Sequence, residues 1–209
     1  TPLYSSAASD VYKRQVVDFD PQANASSALG IDPRSVTTSM YDVILNDINM
    51  EECIVESQWP RLSVAPSSLD LAGAEIELVS AFNRERLLDG AITSVLNRFE
   101  FVFIDCPPSI GLLTVNALTA ANEVLVPIQC EYLALEGLGQ LLSNVERVKN
   151  HLNDNLHIST IALVMFDART KLAGQVTEEI RSHFGDKVCQ QVVPRSVRLS
   201  EAPSYGQPI

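Results

Sequence analysis

The stretch FVFIDCPPSIG, residues 101–111, constrains the fold more than any other part of the chain. Phe101, Val102, Phe103 and Ile104 are consecutive apolar residues, the pattern of a parallel strand covered on both faces by helices. Asp105 ends the run. Pro107 and Pro108 then forbid both ladder donation and an immediate helix. Ser109 is a good N-cap for a helix over residues 110–121. The reading is strand, acidic tip, rigid turn, helix. In open α/β sheets ligands sit beyond the carboxyl ends of strands, where an Asp can hold a Mg²⁺ bound to nucleotide phosphates. The plain alternative is an Asp that caps a turn.

A second acidic tip follows the short apolar strand at residues 15–19. Asp18 and Asp20 alternate around Phe19, which places both carboxylates on one face of an extended chain, and Pro21 stops the strand. Asn24, Ser26 and Ser27 are cap residues ahead of Ala28 and Leu29. Paired acids at a strand tip can orient a water or a metal; a polar turn is the alternative. Further strands are expected at 61–65, 123–128, 158–165 and 187–193. Helices are expected at 39–45, from 69 to about 96 behind a Ser68 cap, at 131–152, and after Thr170. In the third of these, Leu135, Leu138, Leu142, Val145, Val148 and Leu152 recur at three and four, the spacing of a core-facing stripe. Strands alternating with helices predict an α/β fold with one doubly wound, mostly parallel sheet, in which Val17, Val64, Val102, Val126 and Ile161 lie on parallel neighbours.

Composition narrows the partners. Hydrophobic residues make up 46% of 209, which indicates a globular chain. No apolar run is long enough to span a bilayer, and there is no basic start followed by an apolar stretch. Cys53, Cys106, Cys130 and Cys189 show no CxxC spacing, and the three histidines no ligand spacing, so reduced thiols and a cytoplasmic location are expected. A net charge of -11 argues against nucleic acid globally. Residues 169–198, however, hold six basic and three acidic side chains, against 9 and 23 elsewhere. That local excess is a solvated face or a small anion-binding patch. Residues 1–14 are small and polar without a period, and are expected to be an unrelated or disordered tail ahead of a domain over 15–209.

Five stretches, VVDFDPQANASSALG, FVFIDCPPSIGLLTVNAL, VLVPIQCEYLALEGL, MFDARTKLAGQV and VPRSVRLSEAPSYGQPI, together resemble the ParA/Soj branch of the ParA/MinD deviant-Walker P-loop ATPases. The resemblance implies a Rossmann-like, three-layer P-loop NTPase fold, with ATP and Mg²⁺ as cofactors. It gives Asp105 the place of the Walker B acid that holds Mg²⁺ mostly through water, Asp18 a place close to the metal, and Asp20 the positioning of the attacking water. Met165 and Pro194 would pack near the adenine, and Arg169 and Arg198 would contact DNA without sequence preference in an ATP-bound homodimer. A ParB-like centromere-binding protein is the implied partner, the nucleoid the implied location, and no membrane is expected. The family opens with a strand, a KGGVGKT loop and a helix; no such stretch precedes Asp18 here. The chain is therefore expected to be a fragment, truncated at both ends, with negligible ATPase activity as it stands. A MinD-like membrane-cycling ATPase and a non-enzymatic binding protein that keeps the fold are the competing readings. An iron–sulfur relative would need surface cysteines to ligate a cluster.

Overall fold

Strand β1 (Arg14–Asp18) is central to a four-stranded sheet. It pairs in parallel with β3 (Leu62–Ala65) on one side and β4 (Phe101–Asp105) on the other. The two-residue β2 (Val55–Glu56) adds an antiparallel edge to β3. This computed structural model describes residues 12–206, with the backbone alone at 133–136. Of the proposed tail, residues 1–11 lie outside the described residues, while Arg14 already belongs to β1.

The chain divides into two compact units, Thr1–Ala120 with Glu201–Ile209, and Ala121–Ser200. In the first, helices α1 (Asn24–Ala28), α2 (Met40–Leu45), α3 (Met50–Cys53), α4 (Leu71–Glu77), α5 (Leu87–Thr93) and α6 (Leu112–Ala120) connect the strands. Ser39 opens α2 with a reciprocal capping box to Asp42. Val17, Phe19, Met40, Leu71, Leu78, Leu88 and Leu113 form the buried core, with Val102 and Ile104 of β4 packed against it. Phe101 and Phe103 point the other way and remain 50% and 51% exposed. Among the described residues only one face of β4 is covered by this core, because alternate residues of a strand face opposite sides and Val102 and Ile104 are the set that meets it. Tyr12 sets its ring edge-on to Phe101 at 5.4 Å.

Three expected boundaries move. The helix over 69–96 is broken into α4, a 3₁₀ turn at Leu78–Ser80, and α5. Ala81 is extended, Asn83 takes a left-handed φ of 52°, and Arg84 Nη1 donates to Val79 O at 2.6 Å, which closes the first helix. Helix α6 begins at Leu112, and Ser109 offers it a carbonyl instead of a cap: Thr114 Oγ1 donates to Ser109 O and Pro107 O. Residues 187–193 form no strand. Lys187 sits in a 3₁₀ turn, and only isolated parallel bridges join Ile161 to Val188 and Phe166 to Pro194. Arg181 Nη2 donates to Cys189 O and Gln190 O, so those carbonyls are already occupied.

The second unit pairs β5 (Glu123–Gln129) in parallel with β6 (His157–Val164), flanked by α7 (Tyr132–His151) and α8 (Lys171–Phe184) and followed by α9 (Val197–Glu201). Thr170 caps α8 by accepting from Ala173 N at 3.3 Å, as its position ahead of the apolar stripe predicts. Val126 and Ile161 are therefore parallel neighbours here, and Val17, Val64 and Val102 in the first unit; the single expected sheet is two ladders. Alternation of elements predicts parallel neighbours but not which strand edges close.

The 3₁₀ turn Ala202–Tyr205 returns to the first unit and ends at Gly206, whose φ is 63°. Gln58 Nε2 and Trp59 Nε1 donate to Gly206 O at 2.8 and 3.2 Å. A Cβ on Gly206 would lie 2.8 Å from the Cα of Gly30, itself at φ 81°. Gly206→Ala is expected to cost about 1.5 kcal/mol, from the left-handed backbone and the backbone overlap together. Urea unfolding followed by emission of Trp59, the chain's single tryptophan, measures it. Unchanged stability and emission would mean the turn does not hold this seat.

Candidate functional site

The two acidic tips meet. Asp18 and Asp105 are register partners at the carboxyl ends of β1 and β4, and Phe19 N donates to Asp105 O at 2.7 Å. Asp18 is fully buried. Its Oδ2 accepts from Ser26 N at 2.7 Å and Ser26 Oγ at 2.6 Å, and its Oδ1 from Asp20 N at 3.3 Å. Ser26 Oγ also accepts from Ser67 N at 3.2 Å, which ties the turn after β1 to the loop after β3. Asp20, nearly buried, accepts at Oδ1 from Gln22 N at 2.9 Å. Asp105 keeps a solvent-exposed side, and its carboxylate takes no hydrogen bond among the described residues.

Three carboxylates at one edge repel. Burial raises the pKa of Asp18 above the ordinary 3.8, although the Ser26 and Asp20 hydrogen bonds pull it down and Asp20's charge pushes it further up. Asp105 is raised first by desolvation and then by the charges of Asp18 and Asp20. The Cys106 thiol is pushed up to about 11, by burial first and then by Asp105 and Asp20, so its thiolate is scarce at neutral pH. That environment does not suit a cluster-ligating cysteine.

The donor set decides which residues suit a cation. Asp18 spends its oxygens on Ser26 and Asp20 and acts as the clamp of the β1 turn. Asp105, with free carboxylate oxygens, and Asp20, with Oδ2 free of hydrogen bonds among the described residues, fit a hydrated Mg²⁺ held through water. No group of three His, Cys, Asp or Glu side chains among the described residues is placed to bind a metal directly. Nor do the described residues include a glycine-rich loop at a helix N-terminus that would cradle a triphosphate.

In the second unit, Phe166 N donates to Val193 O and Arg195 N to Phe166 O, which brings Met165 and Pro194 within one residue of the same bridge. Met165 holds a left-handed φ of 54° and lines a cleft of about 420 Å³ together with Asp167, Arg169 and Arg195. Arg169 is gripped by Asp167 through Nε–Oδ1 at 2.9 Å and Nη2–Oδ2 at 2.7 Å, and its hydrogen bonds hold the Asp167 carboxyl below the usual range. Arg195 pairs with Glu131 at 3.1 Å. Arg198, on α9, is exposed and makes no ion pair among the described residues. Sequence reasoning missed the clamp role of Ser26 and the part of Ser67. Their signal, a serine eight residues past Asp18 and another past a strand tip, is too common to single out.

A family profile described as an AAA domain matches residues 2–158. The sporulation initiation inhibitor protein Soj of Bacillus subtilis is 50% identical over 194 residues, covering 93% of this chain and 77% of the relative. The chromosome partitioning protein ParA of Myxococcus xanthus is 47% identical, covering 99% and 73%. Among solved structures, cobyrinic acid a,c-diamide synthase from Mycobacterium smegmatis with bound ADP and magnesium superposes with a TM-score of 0.83 at 34% identity, over 93% and 79% of the two chains. Apo McdA from Cyanothece reaches 0.84 at 18% identity, over 95% and 81%, which speaks to the fold alone. Parallel strands, acidic tips and intervening helices place this chain in the Rossmann-like α/β class of P-loop NTPases. Within that class it belongs to the ParA/Soj chromosome-partition ATPase family.

Proposed function

We propose that this chain is the acid-bearing part of the ATP-hydrolysing, DNA-partitioning domain of a ParA/Soj system, which hydrolyses ATP when a phosphate-binding loop is joined to it. The observation that supports the reading most is the register pairing of Asp18 with Asp105 at the strand tips. In this reading Asp105 and Asp20 would hold Mg²⁺ through water, and Asp20 Oδ2, free of hydrogen bonds among the described residues, would orient the attacking water. Mg²⁺, when bound, neutralises charge on the phosphate oxygens. Asp18 keeps the β1 turn in place through Ser26. Met165 and Pro194 flank the adenine, and two subunits pair when ATP is bound. Arg198, exposed and without an ion pair among the described residues, meets DNA phosphates; Arg169 joins it by exchanging Asp167 for a phosphate. A ParB-like centromere-binding protein sets the cycle, on the nucleoid. No helix among the described residues is long and apolar enough to cross a membrane.

The test joins the family's strand, KGGVGKT loop and helix ahead of β1. The joined protein is expected to hydrolyse ATP and to retain DNA in an ATP-dependent, salt-sensitive way. Asp20→Ala should still bind ATP but turn over slowly in single-turnover assays. Arg198→Glu should lose DNA retention while hydrolysis persists. Unchanged turnover in the first variant removes the water-positioning role; an unchanged salt slope in the second reduces the basic patch to a solvated face.

A further inference from the structure

The segment formed by α4 and the 3₁₀ turn after it, residues 69–82, is apolar on both sides. Leu71, Ala74 and Leu78 face the core and are fully buried. On the opposite side, Leu69 is 73%, Ile76 79% and Val79 60% exposed, at helical spacings of seven and three, and Phe82 just beyond is 89% exposed. A helix that is apolar all round is normally buried all round. A continuous exposed stripe of this kind marks a docking surface. The hydrogen bonds Leu71 N to Ser68 O, Ala72 N to Leu69 O and Gly73 N to Asp70 O extend the helical path back to Leu69, so the stripe is one surface.

Charge selects the occupant. Between Arg61 and Arg84 the sequence holds Asp70, Glu75 and Glu77 and no Lys or Arg. On a helix, Asp70 and Glu77 share one flank of the stripe and Glu75 lies on the other. Tyr41 donates to Glu77 Oε1 at 3.2 Å, and its phenol is raised by partial desolvation and then by Glu77, Asp70 and Asp42. The first flank is thus an acidic crescent. We infer that the Leu69–Ile76–Val79–Phe82 stripe, which runs along α4 and the 3₁₀ turn that follows it, docks a basic amphipathic helix of a partner protein, with apolar anchors on the stripe and lysines or arginines against Asp70, Glu77 and Asp42. This goes beyond the nucleotide and DNA reading and does not depend on it.

The probe is a short synthetic helix with leucines at alternating three- and four-residue spacing and lysines elsewhere, labelled for fluorescence anisotropy against the full chain. Controls are a scrambled peptide and one with glutamate for lysine. The lysine helix is expected to bind, more weakly as salt rises, and the controls are not. Ile76→Ser with Val79→Ser, both on exposed positions, should lower affinity about tenfold or more, and Asp70→Asn with Glu77→Gln severalfold. Circular dichroism checks that each variant keeps its fold. Failure of the lysine helix to bind, equal binding of either control, or unchanged affinity in the double serine variant overturns the inference. So does sedimentation showing that the chain self-associates through this stripe and that the double serine variant is monomeric, because the occupant is then a second copy.

Discussion

Ser26→Ala is expected to destabilise the fold by about 3 kcal/mol, the largest loss for any single hydroxyl in the site. Ser26 Oγ donates to a carboxylate that is fully buried and accepts from Ser67 N, which is enclosed with it. Removing the oxygen strips a charge-assisted bond from Asp18 and leaves Ser67 N without its acceptor. The loss also depends on pH, and its sign follows from Asp18. A carboxyl whose folded pKa is raised above 3.8 gives stability that is present in full below 3.8 and is lost as pH rises through the folded value. The Ser26 bonds favour the charged form. Without them the folded pKa rises further, so the gap between wild type and variant opens as pH passes the wild-type folded value, above 3.8, and is complete once it passes the variant's. Urea unfolding at pH 4 and pH 7, repeated in an Asp18→Ala background, isolates the pair. A loss that is the same at both pH values and in both backgrounds would show that Ser26 stabilises the turn without serving Asp18.

How much of this was legible depends on the range of the interaction. Local patterns carried far. The apolar runs around Val17 and Val102 indicated parallel strands, Thr170 the start of α8, and the stripe through Leu138, Val145 and Val148 the length of α7. Asp18 and Asp105 were visible as tip acids because each follows an apolar run, and Asp20 because it alternates with Asp18 around Phe19. That Asp18 and Asp105 are register partners was not visible, since register is settled between strands distant in sequence. The break between α4 and α5 rests on one left-handed Asn83, which sequence permits without requiring. The failed strand over 187–193 has the right apolar residues, and was lost to Arg181, whose guanidinium takes the carbonyls of Cys189 and Gln190. Sequence left the basic excess around Arg169 open between a solvated face and an anion-binding patch; the bidentate grip of Asp167 on Arg169 depends on side-chain geometry that no residue pattern encodes.

Gln15→Leu is expected to raise stability by about 2 kcal/mol. Gln15 is the second residue of β1, in register with Ser63 and Val102, and is fully buried. Neither its Oε1 nor its Nε2 has a hydrogen-bond partner among the described residues. An amide enclosed in this way has lost its water and gained nothing in return, whereas leucine fills a similar volume without polar atoms. The strand itself is not at risk, because its ladder bonds come from the backbone, and a branched aliphatic side chain packs well beside Val17 and Val102. For a chain of this size the gain corresponds to a melting temperature higher by roughly 4–8 °C. Gln15→Glu provides the contrast: the same shape with a charge should destabilise at neutral pH and recover as the acid is protonated. If Gln15→Leu leaves the urea midpoint unchanged, a water reaches the amide and satisfies it. If it lowers the midpoint, the amide has a partner and the strand was selected to carry it.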